Sequence, residues 1–337
     1  MGKAKYLLGR IKSMDYGQFF DAIDTAHKKS GRNKVSLFFD VIGTGLKYQA
    51  GYTDYISAGM YNMTPEQKAD VITRGVNNSY VVKYNDPAYY HFFNDKADFD
   101  TKFADYMKRD WMVVRSEADR DKFMELIQGK DQIVIKPAGG MGGDGVSIQP
   151  AEAETFEKCL KMIPCIAEEK IIQVPEMASL NSSSVNTVRA LTFLGEDGPH
   201  ILAAFLRIGR GGDVDNFCSG GMVAPVDLDT GLVTYPAVDG NNDVFSKHPI
   251  TGESITGFKI PFCDEVKETV LKAATVVPEI RYVGWDVAIS TKGVCLIEGN
   301  EYPAHAFFSF PAQHPDGKGM RHIFEGIMNG SSSENPQ

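Results

Sequence analysis

The sequence predicts an α+β protein whose N-terminal region is mainly helical. Over residues 16–50, apolar residues recur at helical spacing, as Phe19, Phe20 and Ile23 illustrate. From about residue 95 onward, helical segments alternate with short apolar runs of strand length. Because the helices are intermixed with apolar strands, layered α+β or α/β packing is expected.

Local signals place the individual elements in order along the chain. Thr64, with Gln67 three residues later, is typical of a capping box, so a helix is predicted at 64–73. Further helices are predicted at 97–109, 116–128, 151–162 and 262–277. Strands are predicted at 111–114, 132–136, 146–149, 166–173, 186–194, 200–208, 221–227, 231–235, 282–289 and 294–300.

These elements suggest four parts of the chain. They are a helical N-terminal region at 1–90, a subdomain with a glycine-rich segment at 91–172, a C-terminal subdomain with a candidate metal site at 173–329, and a disordered tail at 330–337.

Composition excludes several classes of protein. The net charge of the 337 residues is −9, which argues against non-specific nucleic-acid binding because that binding needs basic patches. The five cysteines form no CxxC pair, which argues against a disulfide framework and a zinc site. No run approaches the ~20 apolar residues of a membrane helix, and Met1–Ser13 lacks the apolar core of a signal peptide. We therefore expect a cytoplasmic protein without an integral membrane segment.

The glycine-rich segment that follows Lys136, residues 137–145, is the strongest local signal. Glycine lets backbone N–H groups approach phosphate oxygens closely, and the lysine adds a positive charge. No Gly-Lys-Ser/Thr closes the segment, so it is not a Walker A loop. It leads into the strand predicted at 146–149 and not into a helix, which excludes a Rossmann fingerprint. A flap on a β-hairpin, lying over a nucleotide, is predicted; a plain glycine-rich hairpin is the alternative.

A second hairpin is predicted where two apolar runs flank Thr291-Lys292-Gly293. With a three-residue loop, Ser290 pairs with Val294, and counting back pairs Asp286 with Glu298. A two-residue loop would shift this register by one and break the pairing.

This register places three polar side chains together, because Asn300 shares the face of Glu298 and Asp286 lies opposite. Two like charges at this spacing are unfavourable unless a cation lies between them, and oxygen ligands of this kind suit Mg²⁺. A surface carboxylate pair is the alternative. Retaining glycosidases also use two close carboxylates, but they need no glycine-rich phosphate flap.

The order of these motifs resembles the ATP-grasp superfamily over about residues 90–310. More closely, Val185–Arg189, His248–Gly252 and Gly284–Asp286 resemble the sugar-transfer-associated ATP-grasp family. The resemblance implies an ATP-grasp fold, in which two α+β subdomains clasp ATP. The first 90 residues depart from the family pattern, because they lack a clear βαβ signal before the ATP-grasp region.

The resemblance also implies roles for individual residues. ATP contacts fall on Lys96, Lys136, Gly140, Met141, Gly142, Gly143, Glu168, Glu169, Ile171 and Ile172, and metal ligation on Asp286, Glu298 and Asn300. Lys136, Arg189 and Arg207 are the catalytic candidates. The substrate candidates are Arg207, Arg210, Asn216, Ser219 and His305. The planar fork of the two arginines suits a carboxylate or phosphate. Simple salt bridges are an equal alternative for the arginines.

These assignments predict a carboxylate–amine ligase that acts through an acyl-phosphate and uses ATP with Mg²⁺, or alternatively Mn²⁺. Its partners would be a small-molecule carboxylate and an amine. A sugar acid and an amino acid are the candidate acids. The family that the chain resembles is associated with polysaccharide biosynthesis. Two alternatives stay open: a phosphotransferase on the same fold, and a non-catalytic nucleotide-binding protein.

Overall fold

The computed structural model describes residues 15–139, 145–211 and 220–330. Internal contacts divide the chain into two compact units. The first unit contains the described residues up to Tyr80 together with Ala304–Phe324, and the second contains Val81–Pro303 and the described residues from Glu325.

The helices of the described residues are α1 (Tyr16–Ser30), α2 (Lys34–Tyr48), α3 (Tyr52–Ser57), α4 (Pro65–Ala69), α5 (Arg74–Tyr84), α6 (His91–Asn94), α7 (Lys96–Lys102), α8 (Arg120–Ile127), α9 (Ala153–Leu160), α10 (Pro175–Leu180), α11 (Cys263–Ala273) and α12 (Arg321–Met328). Single 3₁₀ turns lie at Met60–Asn62, Pro87–Tyr89, Ala104–Tyr106, Glu117–Asp119 and Pro311–Gln313. No helix in these ranges reaches the length and hydrophobicity that crossing a membrane requires.

The first unit is built from helices and turns, as its sequence predicts. From residue 15 to residue 80 every regular element is helical. The predicted capping box is confirmed, because the Thr64 hydroxyl accepts from the backbone N–H of Gln67 while the Gln67 side chain accepts from that of Thr64. α1 and α2 pack around a core that includes Phe19, Leu37 and Tyr55.

A four-stranded antiparallel sheet opens the second unit. It contains β1 (Trp111–Val114), β2 (Gln132–Pro137), β3 (Ser147–Pro150) and β4 (Cys165–Glu169), in the order β1-β4-β2-β3. α8 and α9 cover this small sheet, and their buried Phe123 and Phe156 pack against each other. β2 and β3 pair antiparallel, so the glycine-rich segment does join two strands of a hairpin.

The larger sheet has eight strands: β5 (Thr187–Leu194), β6 (Pro199–Ile208), β7 (Met222–Asp227), β8 (Leu232–Val233), β9 (Ala237–Asp239), β10 (Val244–Phe245), β11 (Tyr282–Ser290) and β12 (Gly293–Asn300). They run β10-β9-β7-β6-β5-β11-β12, with β8 paired to β7. β11 is buried along its whole length. At Gly299 on β12, an added Cβ would lie 2.9 Å from both the Phe93 and Trp285 rings, so only glycine fits there.

Several predicted elements are shorter in the structure. The helix predicted at 64–73 ends at Ala69, and the strand predicted at 231–235 is reduced to Leu232–Val233. The helix predicted at 97–109 ends at Lys102, because Phe103 leaves helical geometry and buries its ring against Trp285. The strand predicted at 166–173 ends at Glu169. The following residues cross to the large sheet, where the Ile172 carbonyl accepts from the Thr291 N–H and Gln173 bridges to Ser290.

Candidate active site

The β11–β12 hairpin brings the predicted acidic pair together by a different route. The turn has two residues, because Ser290 lies opposite Gly293; the predicted three-residue loop and Ser290–Val294 pair are wrong. A β-bulge then restores the register. Val287 lies opposite Leu296 but Asp286 lies opposite Glu298, which leaves one extra residue on β12. The predicted pairing of Asp286 with Glu298 is therefore confirmed.

Asp286 is a buried carboxylate shared by two arginines. Neighbouring β5 and β6 place Arg189 and Arg207 beside it. The Arg189 guanidinium donates through Nε and, at 2.7 Å, through Nη2, while Arg207 Nη1 donates to Oδ2 at 2.6 Å. Burial alone would raise the pKa of Asp286, but the charges of Arg189 and Arg207 outweigh it and hold that pKa well below its usual range.

Glu298 is the more exposed member of the pair, with 46% of its side chain accessible. Loss of hydration between the strands and, second, the negative charge of Asp286 raise the pKa of Glu298 to about 7. The Asn300 amide Nδ2 lies 3.4 Å from Glu298 Oε1 and donates to the Gly284 carbonyl at 3.3 Å. These contacts use the Asn300 nitrogen and leave its Oδ1 as an acceptor oxygen.

The donor set of this site fits a hard divalent cation. Two carboxylates and an amide oxygen meet on adjacent strands, and oxygen donors of this kind are those that Mg²⁺ prefers. Over the described ranges, no group of three or more His, Cys, Asp or Glu side chains forms a metal site, so this mixed carboxylate–amide set is the candidate.

A second carboxylate, Glu168 on β4, is also held between two cations. Its Oε1 accepts from Lys136 Nζ at 2.8 Å, and its Oε2 accepts from Arg109 Nε at 2.9 Å. All three side chains are buried. Arg109 Nη1 also donates to the Leu296 carbonyl of β12 at 2.7 Å, which ties the small sheet to the large one. The pKa of Glu168 stays low because Arg109 and Lys136 outweigh its burial.

Lys96 begins α7 beside the glycine-rich hairpin, where its backbone N–H donates to the Ala138 carbonyl. Burial lowers the pKa of Lys96, and the positive charge of Lys136 lowers it further while Glu298 acts in the opposite direction. Two lysines and the acidic pair therefore share one electrostatic neighbourhood, which suits a polyphosphate carrying a divalent cation.

Residues 155–327 match the family model described as sugar-transfer associated ATP-grasp. The chain belongs to this family. No curated protein matches the chain.

Several solved structures resemble this ATP-grasp protein at low identity. They are the ATP-grasp ligase PsnB complexed with minimal precursor (15% identity, TM-score 0.40, 68% of this chain and 58% of that chain), D-alanyl-alanine synthetase A from Vibrio cholerae O1 biovar eltor str. N16961 (11%, 0.42, 79% and 66%), and N5-carboxyaminoimidazole synthetase from Staphylococcus aureus complexed with ADP (14%, 0.44, 73% and 54%). The chain thus spans between half and two thirds of the length of each.

Other predicted site residues of this ATP-grasp chain lie apart or outside the described ranges. Glu169 pairs with Lys292 at 2.6 Å, and Ile171 and Ile172 follow it on the crossing segment. Arg210 Nη1 pairs with Asp239 at 2.9 Å. Gly140, Met141, Gly142, Gly143, Asn216 and Ser219 fall outside the described residues.

His305 belongs to the first unit. Its Nε2 lies 2.8 Å from Asp54 Oδ1, while Asp54 Oδ2 accepts from the Gly51 and Arg74 backbone N–H groups. The aspartate therefore fixes the orientation of the imidazole ring.

Sequence reasoning missed Arg109 and Asp100, which both lie near Glu168. Asp100 is buried, and burial raises its pKa to about 6. Within the described part of the chain, Asp100 Oδ2 and Arg109 Nη2 have no hydrogen-bond partner. For Asp100, the apolar neighbours were an available signal. Ala97 and Phe99 predict a buried helix face, and Asp100 lies next to Phe99 on that helix. Nothing local marks Arg109.

Proposed function

We propose that this ATP-grasp protein is a Mg²⁺-dependent carboxylate–amine ligase that activates its acid as an acyl-phosphate. The observation that carries the proposal is the convergence of Asp286, Glu298 and Asn300 within the electrostatic neighbourhood of Lys96 and Lys136. The proposed subdomains are 91–172, which contains the small sheet, and 173–329, which contains the large sheet.

Lys96 and Lys136 would hold the ATP phosphates beneath the glycine-rich segment. An ammonium has three N–H donors, so Lys136 can keep its bond to Glu168 and still donate to phosphate oxygens. Glu168, Glu169 and the backbone near Ile171 and Ile172 remain the proposed nucleotide contacts, although the Glu168 carboxylate is already ion-paired.

Asp286, Glu298 and Asn300 would hold Mg²⁺, with Mn²⁺ as the alternative. A bound ion would offset the negative charge that develops in phosphoryl transfer. Asp286 also fixes Arg189 and Arg207, so both guanidinium groups are oriented before substrate arrives.

In the proposed reaction, a substrate carboxylate oxygen attacks the γ-phosphorus of ATP, and the bond to ADP breaks. An amine then attacks the acyl carbon, phosphate leaves with the bonding pair, and the amine gives up its proton. Arg189 and Arg207 would stabilise the negative oxygen of the second step. Arg207, Arg210, Asn216, Ser219 and His305 remain substrate candidates, for an acid such as a sugar acid or an amino acid.

Pairing a panel of acids with a panel of amines in the presence of Mg-ATP tests this function. We expect ADP and phosphate release that requires both partners. The Glu298→Gln variant should lose it, whereas Glu268→Gln, an exposed site on α11, should retain it. ADP release with a phosphorylated product and no amine requirement would instead identify a phosphotransferase. Equal turnover by Glu298→Gln and the unmutated protein would overturn the metal assignment.

A further inference from the structure

α2 of the first unit has two apolar faces. One face, which includes Leu37 and Val41, is buried in the core. On the opposite side, Val35, Phe39, Ile42 and Leu46 are between 39% and 66% exposed. A surface helix normally needs one apolar stripe, so the second stripe requires its own explanation. We call these four residues the outer seam.

The outer seam has the spacing of a helix–helix contact. Its residues are separated by four, three and four positions, which is the narrow a/d pattern along which helices pack. Ser36 and Gly43 lie on one side of it, and an added Cβ at Gly43 would meet no atom within 4 Å. Small residues beside a narrow stripe allow another helix to approach closely.

We propose that the outer seam binds the same seam of a second copy of this chain, with the two α2 helices antiparallel. The four-three-four spacing reads the same in both directions, so a two-fold axis at the seam centre makes it self-complementary. Val35 then lies opposite Leu46 of the second copy, and Phe39 opposite Ile42 of the second copy. Each pair joins two apolar side chains, so no charge is buried at the seam.

The exposed apolar surface continues onto α1, where Tyr16 and Phe20 are also exposed. Edge-to-face ring contacts run from Phe20 through Phe19 and Phe38 to Phe39. Six half-exposed apolar side chains present roughly 500 Å² in total, taking an aromatic side chain as about 200 Å². A standard interface buries about 800 Å² per partner, a little over half of it apolar, so the patch has the required size.

Analytical ultracentrifugation of the full chain tests the dimer. We expect concentration-dependent dimerisation, weakened on the order of tenfold or more by Phe39→Glu. Val82→Glu is the matched control, because Val82 is 81% exposed on α5 and outside the seam. Circular dichroism and thermal unfolding should match the unmutated protein for both variants, since both side chains are exposed.

Charge pairing tests the antiparallel register. Val35→Lys and Leu46→Glu should each weaken the dimer, and the double variant should regain most of the affinity, because position 35 lies opposite position 46 of the second copy. A parallel in-register dimer would place like charges together, so failure to rescue overturns the register.

Three results overturn the second copy as the occupant. One is a dimer that Phe39→Glu leaves intact. Another is a monomer up to roughly 100 µM whose binding to phosphatidylglycerol vesicles is lost in Phe39→Glu, which identifies a lipid surface. The third is a monomer in which Phe39→Glu lowers the free energy of unfolding, which identifies residues 1–14 of the same chain. None of these readouts depends on ligase activity.

Discussion

The second unit contains two carboxylates that are each held between two cations. Asp286 on the large sheet lies between Arg189 and Arg207, and Glu168 on the small sheet lies between Lys136 and Arg109. In both cases the cations outweigh burial and keep the pKa of the carboxyl low. In both arrangements, two cations therefore stabilise the negative charge of a buried carboxylate.

They differ in the second acidic group beside them. Near Asp286 this group is Glu298, which is almost half exposed and has a pKa of about 7. Near Glu168 it is Asp100, which is buried, has a pKa of about 6 and keeps one oxygen without a partner in the described residues. In the first cluster Glu298 is exposed enough to meet a dissolved cation, whereas both acidic groups of the second cluster are buried. We therefore propose metal binding for the first cluster and the positioning of Lys136 for the second.

The largest effect is expected from Asp286→Asn. The substitution leaves Arg189 and Arg207 buried without their counter-charge, which should cost about 3–5 kcal/mol of unfolding free energy. It also removes a proposed metal ligand, so turnover should fall roughly a hundredfold to a thousandfold. Urea unfolding and ADP release measure the two effects.

Asp229→Asn is the matched control for that substitution. Asp229 is an exposed aspartate that pairs with Lys267, so its loss should change stability by no more than about 1 kcal/mol. If Asp286→Asn proved as stable as this control, the ion pairs with Arg189 and Arg207 would not support the fold as described.

A more selective effect is expected from Glu168→Gln. Lys136 and Arg109 lose their shared counter-charge, so unfolding free energy should again fall by about 3–5 kcal/mol. Because the proposed metal ligands are untouched, the Mg²⁺ concentration for half-maximal ADP release should stay unchanged, in contrast to Asp286→Asn. The neighbouring Glu169→Gln loses a partly exposed pair with Lys292 and keeps an oxygen that can accept from the Asp110 N–H, so it should cost about 1 kcal/mol or less. Equal destabilisation by both variants would contradict the difference in burial.

The pairing of Asp286 with Glu298 was predictable from the sequence, but the turn length and the β-bulge that produce it were not. Strand periodicity and the apolar runs indicate that Asp286 meets Glu298, and burying Val287 and Leu296 enforces that register in the structure. The turn is one residue shorter than expected because Gly293, at φ 108°, already belongs to β12. The compensating bulge depends on tertiary packing, which no local pattern encodes.

The Glu168 cluster was less predictable, because its charges meet over long separations. Arg109 contacts a carboxylate 59 residues away and a carbonyl 187 residues away, and no periodic pattern brings these groups together. A charged side chain at a buried position also contradicts the usual preference of arginine for the surface. The family resemblance indicated Lys136 and Glu168, but it did not indicate the arginine between the sheets.

The smallest effect is expected in the pH dependence of the unfolding free energy. This measurement also tests whether the Asp286 cluster responds to cations. A carboxyl whose folded pKa is raised stabilises the fold below its ordinary pKa of 4.5 and loses that contribution as pH rises through about 7. Since nearly half of Glu298 is exposed, screening limits the change to about 1–2 kcal/mol. Asp100 acts in the same direction, so the difference between the unmutated protein and Glu298→Gln isolates Glu298. Urea midpoints from pH 5 to 8 in EDTA should fall more steeply for the unmutated protein. Added Mg²⁺ should reduce that fall by displacing the proton, and identical slopes for both proteins would contradict the raised pKa.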